Sequence, residues 1–87
     1  MRPVDEFLSR QHRYALGTDK DSGRHYASFP VTIGVADYEE YYELDDDQLK
    51  YYLLYPDEAL AFVEECRARK HDDLLIQKPG WNRGIPI

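Results

Sequence analysis

A single cysteine, Cys66, stands in the whole chain, so no intrachain disulfide can staple it, and a reducing compartment suits it. No run of about 18 apolar residues occurs, which excludes a helical membrane span. The histidines are three, His12, His25 and His71. Neither His-x-x-x-His nor Cys-x-x-Cys occurs, so the common zinc spacings are missing. Ser9, Ser22 and Ser28 lie in no nucleophile-elbow context. With no catalytic motif, the chain reads as a non-enzyme that calls for no cofactor. The opening residues, Met1-Arg2-Pro3-Val4-Asp5-Glu6, turn acidic at once and lack the apolar core of a signal peptide. The expectation is a cytoplasmic protein.

What is present is enough for one folded domain spanning residues 1–87. Hydrophobic residues make up 43% and aromatics 14% of the 87 residues, which argues against disorder. Eight of the aromatics are tyrosine, a side chain with a large apolar body and a polar tip that serves half-buried sheets and recognition surfaces alike.

Charge is concentrated in one place. The stretch Asp37-Tyr38-Glu39-Glu40-Tyr41-Tyr42-Glu43-Leu44-Asp45-Asp46-Asp47 holds seven carboxylates, three tyrosines and no basic residue. The whole chain carries −6, so all other residues together sum to +1. Strand alternation sends Tyr38, Glu40, Tyr42 and Leu44 to one face and Asp37, Glu39, Tyr41, Glu43 and Asp45 to the other. The first face suits a core. The second is acidic, and its carboxylates would lie roughly 6.5–7 Å apart along the strand, repelling one another unless a cation offsets them. The bland alternative is a solvated face whose charges discourage edge-to-edge aggregation. An acidic surface also disfavours nucleic acid and anionic membrane as partners and favours a basic protein.

Around this stretch the patterns predict an α+β domain. Residues 3–10 fit either a short helical turn or an extended lead-in. Arg13–Thr18 is a candidate strand built on Tyr14 and Leu16, followed by the turn formers Thr18–Gly23, with Gly23 supplying a positive φ. In Arg24–Gly34, His25, Ala27, Phe29, Val31 and Ile33 alternate with Arg24, Tyr26, Ser28, Pro30 and Thr32. Pro30 predicts an edge strand or a bulge there. The acidic strand follows, so three strands form an antiparallel meander. Asp45-x-x-Gln48 has capping-box spacing, and Leu49, Tyr52 and Leu53 share a helix face. Pro56 stops that helix, and Ala59, Phe62, Val63 and Cys66 stripe a second one, with Leu60 widening it. Leu74-Leu75-Ile76 predicts a last strand, and residues 79–87 an irregular tail. The result is a small antiparallel sheet of three to four strands with two helices on one face.

Two further features are open at this level. Asp45-Asp46-Asp47 offers hard oxygen ligands but lacks the spacing and glycine of a calcium loop, and carboxylates entering a helix commonly serve its cap and dipole. Trp81, the only tryptophan, sits beside Arg83 in a glycine-bracketed tail. It is either an interface anchor or a residue that folds back to close a small core, the second slightly favoured. Cys66, on the apolar stripe, reads as a buried small hydrophobe.

The blocks His25-Tyr26-Ala27-Ser28-Phe29-Pro30-Val31, Asp37–Glu43, His71-Asp72-Asp73-Leu74-Leu75-Ile76 and Pro79-Gly80-Trp81-Asn82-Arg83-Gly84 resemble a group of small uncharacterised bacterial proteins. In its shortness, acidity and lack of catalytic motifs the chain is similar to immunity proteins that neutralise polymorphic toxins. That resemblance implies an inhibitor that occludes the basic cleft of a cognate toxin domain, possible targets including a nuclease. It transfers no functional residues. On charge and aromatic content alone, the candidate partner-binding residues are Asp37, Glu39, Glu40, Tyr41, Glu43, Asp46, Asp47 and Trp81. The alternatives are a regulatory or scaffolding domain for a basic host protein, or a small metal-dependent hydrolase using the aspartates at 45–47 with His71.

Overall fold

The computed structural model describes all 87 residues. Four strands run in chain order: β1 (Pro3–Ser9), β2 (Tyr14–Asp19), β3 (His25–Thr32) and β4 (Asp37–Leu44). Helices α1 (Asp46–Leu54) and α2 (Pro56–Arg67) follow, then a 3-10 turn at Asp72–Leu74 and a two-residue strand, β5 (Ile85–Pro86). The sheet is antiparallel throughout, in the order β1-β2-β3-β4, with β5 paired to β3. This is the α+β meander that the patterning predicts, with β1 resolving the ambiguity of residues 3–10 in favour of extended chain.

The core lies between one sheet face and the helices. Tyr14, Leu16, Ala27, Phe29, Tyr42 and Leu44 from the strands meet Leu49, Ala59, Phe62, Val63 and Cys66 from the helices. Most of the period-2 and helical stripes read from the sequence are buried, but Ile33 and Tyr38 are exposed and Tyr26 and Ser28, on the opposite face of β3, are buried as well. The capping box is made in full. The Gln48 N–H donates to Asp45 Oδ1 at 2.7 Å, and the Asp45 N–H donates to Gln48 Oε1 at 2.9 Å. Pro56 occupies the first turn of α2, where its missing N–H costs nothing.

Three expectations are corrected. β3 is a central strand with no bulge in its pairing to β4, although it contains Pro30. The proline is tolerated because β2 pairs only as far as Ser28, and the Pro30 carbonyl accepts from the Ile87 N–H at 3.2 Å. The nitrogen of the same residue points to that side, between the start of β2 and the end of β5, where no ladder partner awaits it. Leu74–Ile76 is not a strand. Leu74 and Leu75 both pack against the core, which adjacent strand residues cannot do, so the chain makes a 3-10 turn and its pairing with β4 is a single isolated Tyr42–Leu75 bridge. The tail, finally, is irregular only to residue 84.

The outer sheet face holds a second, smaller packing unit. Tyr26 points away from the helices yet is fully buried. Tyr41 stands edge-on to the Tyr26 ring at 4.9 Å, and the Tyr26 hydroxyl donates to Asp5 at 2.5 Å. The ring lies against Gly17, where an added Cβ would fall 2.6 Å from the Tyr26 hydroxyl and 2.2 Å from the Val4 carbonyl oxygen. Only glycine leaves that space.

Candidate functional site

The two faces of β4 are chemically distinct. On the core side, Glu40 is buried and meets a cation from the tail: Arg83 donates to it at 2.8 and 3.2 Å and to Asp72 at 2.7 and 3.0 Å. The Tyr42 hydroxyl completes the group, donating to Glu40 at 2.9 Å and accepting from Arg83 at 3.2 Å. Burial, and then its bond to Glu40, pushes the Tyr42 phenol up, while Arg83 holds the Asp72 carboxyl below its ordinary range. Glu40, a candidate contact residue, is thus withdrawn from the surface. Its burial is tolerable because a buried carboxylate with a bidentate arginine is stable where a lone one is not.

The outer side carries Asp37, Glu39, Tyr41 and Glu43 with no helix above them. Glu43 is neutralised within the fold, since Arg24 donates to it at 2.7 Å. Asp46 lies 2.7 Å from His25 Nε2, and His25 Nδ1 lies 2.8 Å from the Thr18 hydroxyl, which also donates to Glu6 at 3.1 Å. This Thr18–His25–Asp46 chain has the spacing of a nucleophile and base, but the shared hydroxyl marks it as a stitch joining β1, β2, β3 and the start of α1. Four carboxylates of the acidic run, Asp37, Glu39, Asp45 and Asp47, take no internal cation, and Asp45 is occupied by the α1 cap. Glu39 is the most constrained of them: burial of its surroundings and then the charge of Asp5 raise its carboxyl above the ordinary value. Burial likewise raises Tyr41, helped by Glu39 and Asp5. Arg10 and Arg13 line the same hollow as Glu39 but form no ion pair with it.

Asp47 belongs to a different surface. With Asp45, Glu58 and Glu65 it lines a hollow of about 460 Å³ between α1 and α2, walled by Tyr51, Tyr52 and Phe62. Glu65 lies 2.7 Å from His71 Nε2, and His71 stacks on Phe62 at 5.0 Å. Asp45, Asp46 and His71 are therefore engaged separately, in a cap, a hydrogen bond to His25 and a stack on Phe62, and Asp47 is left free. No three His, Cys, Asp or Glu side chains converge as ligands.

Trp81 does not close the core: 97% of it is exposed. The tail residue that folds back is its neighbour Arg83, drawn in by Glu40 and Asp72. Sequence reasoning missed Asp5, Tyr26, Asp72 and Arg83 as determinants of this surface. A glutamate alternating among core positions at Glu40 was the one signal that an internal cation had to exist. No helix is long and apolar enough to cross a membrane.

Comparison with known proteins returns nothing similar: no family model, no curated protein and no solved structure matches the chain.

Proposed function

We propose that this protein is an inhibitor of the immunity type, a cytoplasmic bacterial protein that binds one basic toxin domain and covers its cleft through the acidic, tyrosine-bearing strand β4. The observation that carries this reading is the uneven use of cations. The fold pairs Glu40 with Arg83 and Glu43 with Arg24 and ties Asp46 to the His25 ring by a hydrogen bond, yet leaves Asp37 and Glu39 without a partner on a sheet face that no helix covers. Glu39 is exposed, yet partial desolvation and then the charge of Asp5 raise its carboxyl, a cost that a cation supplied from outside would relieve. Tyr41, half-buried beside them, offers the apolar body and polar tip suited to an interface. Occlusion needs no chemistry of its own.

The test is native mass spectrometry of the tagged protein purified from the cells that make it, at low and moderate salt. One basic protein at 1:1 stoichiometry is expected, released progressively as salt screens the contact, with its activity blocked in the complex. The Asp37→Lys/Glu39→Lys double variant should fold and lose that partner. A chain without a protein partner, or a complex indifferent to the double variant, would refute the reading.

A further inference from the structure

The acidic run meets an unused hydrogen-bonding ladder at the outer edge of β4. Its eight pairs with β3, from His25–Leu44 to Thr32–Asp37, run without a bulge, so alternate β4 residues turn their N–H and C=O away from β3 in strict succession. The Tyr41 carbonyl is one of these, since it accepts from the Ile76 N–H at 2.9 Å on the far side. Glu39 and Asp37 share its direction, and no loop segment hydrogen-bonds to their backbone. Leu75 and Ile76 close the edge at Tyr41 and Tyr42. Below that it is open. The opposite edge of the sheet differs: β1 begins on Pro3, and its pairing is irregular between Asp5 and Phe7, so its row of polar groups is broken.

A hollow of about 190 Å³ lies along the open stretch, lined by Tyr38, Glu39, Glu40, Lys78, Pro79 and Asn82 among others. Lys78 does not neutralise it, because its Nζ is drawn to the Asp72 and Asp73 carbonyls at 3.3 and 3.5 Å. Charge decides what fits. A second copy pairing β4 with β4 about a twofold axis would set the Asp37 and Glu39 carboxylates of both copies against each other with no cation between them. A basic extended segment meets the same carboxylates favourably and finds the backbone donors and acceptors it needs.

We infer that the Asp37–Glu39 edge of β4 takes up an extended, basic segment of a partner protein as an added strand. The segment's backbone bonds to Asp37 and Glu39, and its lysine or arginine side chains lie beside their carboxylates. This mode rests on the reading of the protein as one that binds a basic partner, and it adds how the partner is held.

The experiment is amide hydrogen exchange by NMR on the full chain. The probe is a synthetic peptide of about nine residues alternating lysine and valine, a length that spans one strand, with its glutamate–valine counterpart as control. Saturable binding of the lysine peptide should slow exchange at the Asp37 and Glu39 amides by about tenfold or more, and the glutamate peptide should do nothing. Glu39→Gln keeps the outward donor and should weaken binding roughly two- to fivefold. Glu39→Pro removes a donor that no β3 residue uses, so the sheet should persist by circular dichroism while protection is lost. Should that variant fail to fold, a lysine peptide N-methylated at alternate positions removes the same bonds from the ligand side and must likewise give no protection. If the peptide binds but shifts only Tyr41 and the outer face, with no protection at Asp37 and Glu39, strand addition is overturned while the basic-partner reading stands. If the lysine peptide does not bind, strand addition is again overturned, and the basic-partner reading is decided separately by the native complex.

Discussion

Replacing Arg83 with methionine tests the group on which the charge pattern of β4 depends. The wild-type guanidinium makes two bonds to Glu40 and two to Asp72. The Glu40 side chain is 6% exposed and the Arg83 side chain 14%, against 44% for Asp72. Removing the cation therefore strands Glu40, which keeps only the Tyr42 hydroxyl, and leaves Asp72 to water. Breaking a buried pair costs about 3–5 kcal/mol; with the rim of Arg83 reaching solvent, the lower end, about 3 kcal/mol, is expected. A domain of this size has roughly 4–13 kcal/mol in total, so the loss is large, and at about 4–8 °C per kcal/mol the melting temperature should fall by roughly 12–24 °C. Urea and thermal unfolding should be followed by far-ultraviolet circular dichroism, because exposed Trp81 is a poor fluorescent reporter of packing. Glu40→Gln/Arg83→Met should recover about 1.5 kcal/mol relative to the single Arg83→Met variant, since a neutral amide needs no cation. An Arg83→Met protein within about 0.5 kcal/mol of wild type, or a double variant no better than the single, would refute the argument. Acidification gives an independent check. Asp72 is held below its ordinary value of 3.8, first by its bond to Arg83, so its contribution is present above that pH and is lost as pH falls through its lower folded value. Arg83→Met, lacking that contribution, should lose less stability than wild type over the same descent.

Glu39 has the opposite sign: its carboxyl lies above the ordinary 4.5 through burial and then Asp5, so its ionisation costs stability at neutral pH and nothing below 4.5. Glu39→Gln should melt higher than wild type at pH 7 and alike below pH 4.5, and a lower melt at pH 7 would mean that the fold itself supplies a cation to Glu39. Gly17→Ala places a methyl group 2.2 Å from the Val4 carbonyl oxygen and should cost about 2–3 kcal/mol by denaturant titration as β1 and Tyr26 are pushed aside; a neutral effect would show that this edge yields freely. Cys66 is buried, and that burial pushes its thiol up to about 12, so a disulfide reagent at neutral pH should react only as fast as the protein opens, and promptly in denaturant. Asp45→Ala should remove about 1 kcal/mol by uncapping α1, measured by the same titration.

What the sequence determined by itself is whatever depends on neighbours along the chain. Alternation in Arg24–Gly34 and Asp37–Leu44, the Asp45–Gln48 capping box, Pro56 and the Ala59–Phe62–Val63–Cys66 stripe are local patterns, and each became the element it predicted because backbone geometry repeats every two residues or every 3.6. Gly23 has its positive φ for the same local reason. Tertiary structure alone decided which charges are free. Glu40 and Arg83 are 43 residues apart, Arg24 and Glu43 are 19 apart, and no periodicity records which cation will reach which carboxylate. Pro30 could be central only because the β2–β3 pairing stops at Ala15–Ser28. Leu74–Ile76 lost its strand because both leucines were needed in the core. Trp81 took the exposed one of its two expected places because burying Glu40 demands a cation, and the tail that brings Arg83 inward leaves the nearby tryptophan in water.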